Sequence, residues 1–144
     1  TNASLPGVLP GLAEAGVNSI RVSLNSARKG PYEAYYRPNG YAFEDMQESI
    51  QVAKDSGLFV SLNLLYFPGI TDCELEWEAL AELIGRTKLD FVQMRNMNLD
   101  PELMLTLMQG QDFGPCMGLA NFLKRLRKTC PWIEFGYFNP FITG

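Results

Sequence analysis

The sequence predicts an α/β fold in which strands and helices alternate and the strands form a parallel sheet, as part of a (β/α) barrel. Helical and extended hydrophobic patterns alternate along the chain, which favours a parallel sheet with right-handed crossovers. Residues 59–67 are almost wholly apolar, as is typical of a strand covered on both faces. The segment VSLN at residues 22–25 recurs at residues 60–63, and a βα repeat of about 35 residues is typical of such barrels.

Each predicted element is marked by its hydrophobic period and by the turn residues that bound it. The first helix ends at Gly16, and the second strand ends at Pro68-Gly69. Thr71 and Glu74 have the spacing of a capping box, which predicts that Thr71 caps the next helix. Helices are predicted over residues 4–16, 43–56, 75–86, 101–108 and 118–129, strands over residues 19–26, 59–67, 89–95 and 132–138, and a loop with one helical turn at residues 32–36 over residues 27–42.

Composition limits the functions that the chain can have. The 144 residues suit one domain, and the 47% hydrophobic content is enough for a core. A net charge of −4 and a pI of about 4.8 argue against nucleic acid as a partner. No apolar run reaches the length of about 18 residues that crosses a membrane, so no membrane partner is predicted. The sequence has no histidine, which excludes a Ser-His triad and most zinc sites.

The three cysteines, Cys73, Cys116 and Cys130, are an odd number at wide spacing. This pattern argues against a disulfide framework and indicates a reducing, cytoplasmic environment. Cys73 is predicted at a helix N-terminus, which favours its thiolate, although a free thiol in such a place is more often inert.

Polar and apolar side chains alternate along three of the predicted strands, which places the polar ones on one face of the sheet. Two interpretations are open. The face is an ordinary solvated sheet surface whose polar groups satisfy one another, or it lines a ligand site at the carboxyl ends of the strands, where α/β proteins bind their ligands. The polar residues of this face are Ser23, Asn25, Ser61, Asn63, Gln93 and Arg95.

Three segments, in this order and spacing, resemble the later strands of a radical SAM (S-adenosylmethionine) enzyme core: LAEAGVNSIRVSLNS, SLNLLYFPGITDCELEWEAL and LDFVQMRNMNLDP. The resemblance covers about residues 1–101, and residues 102–144 would add a further helix and strand to the same domain. It implies a partial (β/α) barrel that holds S-adenosylmethionine across the strand ends for radical chemistry of the oxidoreductase type. The substrate is not implied, because one fold supports many reactions.

Radical SAM enzymes hold a [4Fe-4S] cluster through a CxxxCxxC loop after the first strand, and this motif is not in the sequence. Cys73, Cys116 and Cys130 do not reproduce its spacing. The resemblance therefore implies that a preceding N-terminal part of the parent protein holds the cluster, and that this chain begins near the fourth strand of the core. Such a fragment is expected to be inactive alone, and to have the missing half of the barrel or a second copy of itself as its partner.

The same resemblance implies roles for individual residues. Asn63 would bind the ribose hydroxyls, because an amide both donates and accepts hydrogen bonds. Ser23 and Asn25 would lie near the ribose or the amino-acid end of the cosubstrate, although both could simply cap the following loop. The predicted cofactor-binding residues are Ser23, Asn25, Ser61, Asn63, Pro68 and Gly69, and the last two would bring backbone close to the adenine.

Arg95, at the end of the third predicted strand, is the predicted substrate-binding residue. It would meet a carboxylate of the cosubstrate or substrate, although it could instead pair with Asp90 or Asp100. Two functions without catalysis are also open: an α/β module that binds a nucleotide-like or anionic ligand, and a barrel half that serves as a scaffold.

Overall fold

The computed structural model describes residues 1–137, in which helices and strands alternate along the chain. A short 3-10 turn at Pro6–Val8 leads into the first helix. The helices are α1 (Leu9–Glu14), α2 (Lys29–Tyr36), α3 (Phe43–Asp55), α4 (Glu74–Thr87), α5 (Pro101–Leu107) and α6 (Leu119–Thr129), and the strands are β1 (Ser19–Leu24), β2 (Phe59–Tyr66), β3 (Phe91–Asn96) and β4 (Glu134–Tyr137).

The four strands form one sheet in the order β1-β2-β3-β4, and every neighbouring pair is parallel. Helices lie between successive strands, as parallel pairing requires, because a parallel connection must cross from one end of the sheet to the other. The predicted fold class, alternating β/α units around a parallel sheet as in part of a (β/α) barrel, is confirmed. The predicted last strand extended to Phe138, which lies outside the described residues.

The two VSLN segments do not lie side by side in the sheet. Val22 of β1 is opposite Leu62 of β2 rather than Val60, and Ser23 is opposite Asn63, so the repeat is shifted by two residues. A shift of two residues keeps every side chain on its original face, whereas a shift of one would reverse it. Stagger between neighbouring strands is what a sheet needs in order to curve toward a barrel.

The core lies between the helices and one face of the sheet. The apolar strand residues are almost fully buried there, and α3, α4 and α6 cover them with their own apolar residues. Burying one such side chain stabilises the fold by about 1.5–3 kcal/mol, so this layer holds the sheet in place. The strand residues of this layer include Val22, Leu24, Val60, Leu62, Val92 and Met94.

The predicted loop over residues 27–42 and the predicted cap at Thr71 differ from the observed structure, and tertiary contacts explain both differences. The single turn predicted at residues 32–36 is a helix of eight residues, α2. Asn25 donates from Nδ2 to the carbonyl oxygen of Pro31, and the ring of Tyr32 packs edge-on against Phe43 at 5.2 Å. These contacts join α2 to β1 and α3, and they involve residues that the local hydrophobic pattern does not connect.

The predicted capping box at Thr71 is wrong, because Cys73 is the N-cap of α4. Thr71 instead accepts a hydrogen bond from the Phe67 N–H at its Oγ1, at 2.9 Å. The first N–H groups of α4 donate to carbonyl oxygens from the segment between α5 and α6: Glu74 to Pro115 at 2.9 Å and Leu75 to Phe113 at 3.1 Å. A segment some forty residues later in the sequence thus caps this helix.

That segment, residues 111–118, is called the strap below. Cys116 of the strap forms a disulfide with Cys73, and the two residues pair as an isolated antiparallel bridge. The Met117 N–H also donates to the Asp72 carbonyl at 3.0 Å. The expectation that the cysteines form no disulfide is therefore wrong for Cys73 and Cys116. Sequence spacing did not reveal the pair because the strap returns to α4 only through the fold.

No helix among residues 1–137 is both long enough and apolar enough to span a bilayer.

Candidate functional site

The face of the sheet opposite the core carries the predicted polar residues in register. Ser23, Asn63, Gln93 and Gly136 form one row across the four strands. Arg21, Ser61, Phe91 and Glu134 form the next row toward the strand starts, and Arg95 of β3 lies opposite Leu65 of β2, one row nearer the strand ends. The prediction that the polar strand residues share one face is confirmed by this register.

Asn63 is a buried polar group of this face. Only 9% of the residue is exposed, and its Oδ1 has no hydrogen-bond partner among the described residues. Leaving a buried carbonyl oxygen unpaired costs about 1–3 kcal/mol. The interpretation that the face is a self-satisfied polar surface therefore does not account for Asn63, because its best acceptor is unused.

Asn25 lies directly after β1, and one of the two polar atoms of its side chain is also unpaired. Its Nδ2 donates to the carbonyl oxygen of Pro31 at 3.1 Å, so the amide does hold the following loop, as one of the two interpretations predicted. Its Oδ1, however, is buried and has no partner among the described residues. Asn25, directly after β1, and Asn63, in the second half of β2, thus each keep one free, buried acceptor on neighbouring strands.

A cavity of about 380 Å³ opens on the same face. Gly136 belongs to its wall, and a side chain there would collide with the ring of Phe91, whose Cζ would lie 2.6 Å from an added Cβ. The absence of a side chain at position 136 therefore lets the Phe91 ring lie across β4. The cavity combines polar groups from the two rows with two aromatic rings, and its lining is Arg21, Phe59, Ser61, Phe91, Gln93, Glu134 and Gly136.

The loop between β2 and α4 is fixed by Asp72. Oδ1 of Asp72 accepts a hydrogen bond from the Gly69 N–H at 2.8 Å, and Oδ2 accepts one from the Tyr66 hydroxyl at 3.1 Å. Burial and the neighbouring Asp72 carboxylate raise the pKa of Tyr66 to about 12, so the phenol remains a donor at neutral pH. Pro68 and Gly69 are exposed at the tip of this loop, where the Gly69 N–H is held by Asp72 and the Gly69 carbonyl lies 3.4 Å from Cys116 Sγ.

Arg95 is exposed at the end of β3, and neither predicted alternative partner takes it. Asp90 pairs with Lys54 at 2.8 Å and accepts the Val60 N–H. Asp100 caps α5 by accepting the N–H groups of Glu102 and Leu103. Among residues 1–137 the structure gives Arg95 no ion pair, so its guanidinium is available to an anionic group.

Glu76 in the first turn of α4 is a buried carboxylate near the candidate site that the sequence pattern did not identify. Only 3% of it is exposed; it accepts the Ser26 hydroxyl at 2.7 Å and pairs with Arg28 at 3.3 Å. Burial raises the pKa of Glu76, although the Ser26 hydrogen bond and the Arg28 charge both oppose the shift. The carboxyl group joins the loop that follows β1 to the helix that follows β2, and so connects the segments that carry Asn25 and Gly69.

Gln93 was predicted on the polar face but not as a cofactor-binding residue, and Arg21, which follows the same alternation, was not predicted there at all. Gln93 is almost fully buried, and Arg21 is exposed at the cavity rim. The signal was their position, since residues two apart on a strand face the same way. Glu76 has no such signal, because an acidic residue in the first turn of a helix is usually solvated.

The cysteines of this chain do not fit an iron–sulfur cluster. Cys73 and Cys116 are bonded to each other, and Cys130 is buried in the core on the helix side of the sheet. A [4Fe-4S] cluster needs thiolates grouped around one site. The amide, hydroxyl and backbone groups of the polar face do fit a nucleoside-bearing ligand, because they offer acceptors and donors for a sugar diol.

Comparison with known families gives one match. A model described as the Radical SAM superfamily matches residues 1–81, which is more than half of the chain. The matched residues run from Thr1 through β1 and β2 into α4, and they include Asn25, Asn63 and the loop that Asp72 fixes. A search of curated proteins gives no match.

Proposed function

We propose, given that this chain belongs to the radical SAM superfamily, that the polar face of its sheet binds S-adenosylmethionine for radical chemistry on a substrate. When bound beside a reduced cluster, S-adenosylmethionine supplies a strongly oxidising radical by reductive cleavage. The residues of this chain bind and orient the cosubstrate. The rest of the chemistry depends on groups that this chain does not itself contain.

The two free acceptors at the strand ends carry the proposal. Oδ1 of Asn63 and Oδ1 of Asn25 are buried and lack partners among the described residues. Buried polar atoms are paired in most proteins, so an unpaired acceptor is best explained by a ligand or water that completes it. The ribose hydroxyls and the amino group of S-adenosylmethionine are donors, and Asn63 would hold the ribose.

The neighbouring residues support the same ligand. Ser23 and Ser61 add hydroxyl groups to the face, and the exposed backbone of Pro68 and Gly69 would lie along the adenine. Arg95 would meet a carboxylate of the cosubstrate or of the substrate, because it is exposed and unpaired among the described residues. Glu76 would act as a positioning residue, since it holds the loops that carry these groups.

The cluster itself is proposed to come from a part of the protein that precedes this chain. The edge of the sheet at β1 supports this arrangement. The amino group of Thr1 donates to the Arg21 carbonyl at 3.0 Å, and the carbonyl oxygen of Thr1 accepts a hydrogen bond from the Ser23 N–H at 3.1 Å. This is the pattern of parallel pairing, so the free side of β1 is already shaped to receive another strand.

A cytoplasmic location is part of the proposal. It requires that the disulfide between Cys73 and Cys116 can be reduced, because cytosolic disulfides are usually transient.

A binding module for an anionic ligand is the second candidate, and Arg21 favours it. Its side chain lines the cavity together with two aromatic rings, so a phosphate-bearing nucleotide could bind there without S-adenosylmethionine. This candidate needs no cluster and no preceding part. The two candidates differ in the ligand that binds and in whether a cluster strengthens binding.

Calorimetric titration of the full-length protein, with its cluster reconstituted under anaerobic conditions, separates the two candidates. S-adenosylmethionine should bind, and ATP should bind at least about tenfold more weakly. Removing the cluster should weaken binding of S-adenosylmethionine and leave the weak binding of ATP unchanged. Preferential binding of ATP that is unaffected by the cluster would contradict the proposal and support the binding module.

A further inference from the structure

The disulfide between Cys73 and Cys116 connects two loops that lie 43 residues apart in sequence. One is the loop between β2 and α4, which Asp72 fixes. The other is the strap, residues 111–118. We propose that this disulfide is a reversible redox site, which reacts with low-molecular-weight or protein dithiols and, when reduced, frees the strap from the β2–α4 loop. This inference does not depend on which ligand the polar face binds.

The exposure of the two sulfur-bearing residues differs, and this decides where a thiol attacks. Cys73 is fully buried, with 0% exposure, whereas Cys116 is exposed. An incoming thiolate must approach a sulfur atom directly, so only Cys116 Sγ is open to it. Structural disulfides in proteins are commonly enclosed on both sides, and this one is not.

The leaving group is then the Cys73 thiolate at the N-cap of α4, a helix of 14 residues. The positive end of the helix favours a thiolate there, although the Glu74 and Leu75 N–H groups already donate to strap carbonyl oxygens and the Cys73 side chain makes no cap hydrogen bond. Asp72 opposes this, because its Oδ1 lies 4.0 Å from Cys73 Sγ. Hydrogen bonds from the Gly69 N–H and the Tyr66 hydroxyl already share the Asp72 charge and so weaken the opposition.

The exchange balances with a dithiol as the reductant. One thiolate of the dithiol bonds to Cys116 Sγ, the bond between Cys116 and Cys73 breaks, and Cys73 takes the electron pair as a thiolate. The second thiol of the reductant loses its proton and bonds to the first, which releases the Cys116 thiolate. The protein gains two electrons and, on protonation, two thiols, while the reductant becomes a cyclic disulfide.

Reduction leaves the strap attached by weaker bonds. Three backbone hydrogen bonds remain, from Glu74, Leu75 and Met117, each of 2.9–3.1 Å. Cys116 Sγ lies 3.4 Å from the Gly69 carbonyl, so the free thiol could donate there. Each of these hydrogen bonds contributes only about 0.5–1.5 kcal/mol, and Phe113 and Met117 of the strap also pack against the apolar clusters. The reduced strap should therefore open more often, and with it the N-terminus of α4.

Thiol counting tests the reactivity of the site. The oxidised chain, denatured, should show one thiol, that of buried Cys130, and the chain treated with dithiothreitol while folded should show three. Oxidised glutathione should restore the first value. Cys130→Ser should leave this cycle intact, with one thiol fewer at each stage. Failure of the folded chain to react with dithiothreitol would overturn the proposal. Reduced protein that binds Zn²⁺ one to one and no longer reoxidises would also overturn it. That result would assign Asp72, Cys73 and Cys116 to a metal site.

Hydrogen exchange followed by mass spectrometry tests the release of the strap. Exchange in a peptide that covers residues 111–118 should become about tenfold faster on reduction, while peptides from β2 remain protected. Cys116→Ser should show the fast rate with and without dithiothreitol, and because position 116 is exposed this variant should fold. An equal exchange rate in the oxidised and reduced chains would overturn the proposed release.

Discussion

Two buried asparagine oxygens determine what the polar face can do. Asn25 and Asn63 each have Oδ1 without a partner among the described residues, although Asn25 donates through Nδ2 to Pro31. Each unpaired acceptor opposes folding by about 1–3 kcal/mol. A chain that keeps two such groups on neighbouring strand ends gains that free energy back when a donor binds.

Glu76 gives a prediction about pH at the same scale. Burial raises its pKa above the ordinary value of 4.5, so the folded state prefers the protonated form. The stability that this group contributes is fully present below the unfolded pKa and is lost as the pH rises through the folded pKa. Glu76→Gln keeps an acceptor for Ser26 and does not titrate. The difference between the melting temperature of Glu76→Gln and that of wild type should therefore become more positive between about pH 4 and pH 7.

Thermal melts of both proteins across this range check the prediction. A difference that decreases with pH would show that the Arg28 charge outweighs the burial of Glu76. Glu48→Gln is a suitable control, because it makes the same substitution at an exposed position on α3.

For single residues, the sequence predicted which side chains share a face of the sheet. It did not predict which side chains are buried by contacts with distant segments. Ser23, Asn63 and Gln93 follow from a period of two, which fixes the face without knowledge of the rest of the fold. Glu76 could not be predicted, because Ser26 and Arg28 meet it only after β1 and β2 have paired. The same holds for the failure of Asp90 and Asp100 to pair with Arg95.

At the scale of elements, one glycine of the β2–α4 loop is required by its backbone conformation, whereas one glycine of α4 is not. Gly69 has φ +81°, a conformation that strains any residue with a Cβ, and an added Cβ would contact nothing. Gly85 lies inside α4, and a Cβ there would also contact nothing. The two positions thus separate backbone conformation from packing.

Alanine at these two positions should have opposite effects. Gly69→Ala should destabilise the fold by about 1–2 kcal/mol, because the left-handed conformation is unfavourable for alanine. Gly85→Ala should stabilise it by about 0.5–1 kcal/mol, because alanine loses less entropy in a helix. Urea denaturation measures both free energies of unfolding. Equal effects of the two substitutions would mean that the loop does not hold Gly69 in the observed conformation.

Sequence patterns located the strands and most helices, because their hydrophobic period reflects which side faces the core. They failed where a distant segment supplies the contact. Thr71 has the right spacing for a cap, yet carbonyl groups of the strap cap α4 instead. The disulfide with Cys116 was missed for the same reason.

At the scale of the whole molecule, helices cover one face of the sheet, and no helix among residues 1–137 packs over the other face. The three cysteines are not grouped around one site: two are bonded to each other at the β2–α4 loop, and Cys130 lies in the core. The 144-residue chain should therefore form no stable [4Fe-4S] cluster. Iron analysis and an absorbance spectrum after anaerobic reconstitution check this, and one intact cluster per chain would contradict it.

The open edge of β1 predicts the behaviour of the chain in solution. Only Thr1 pairs with its free side among the described residues, and apolar residues are exposed near it, with Leu5 at 63% and Val8 at 49%. Such an edge invites another strand, and the apolar groups add a driving force. We expect the isolated chain to self-associate. Sedimentation over a tenfold range of concentration should show a rising mean mass, whereas a constant monomer mass would contradict the expectation.

Binding of S-adenosylmethionine by Asn63 variants tests the central claim, that the strand ends hold the cosubstrate. Asn63→Leu keeps the bulk of the side chain and removes both the donor and the acceptor. In the full-length protein with its cluster, calorimetry should show affinity lower by about five- to thirtyfold, equivalent to about 1–2 kcal/mol. Asn63→Asp should lose less, since a carboxylate still accepts from both hydroxyls.

Asn121→Leu is the matched control, because Asn121 is exposed on α6, on the helix side of the molecule. It should bind S-adenosylmethionine as wild type does, and thermal melts should show that all three variants fold. Wild-type affinity in a folded Asn63→Leu protein would contradict the account, because the free oxygen of Asn63 would then have no ligand to serve.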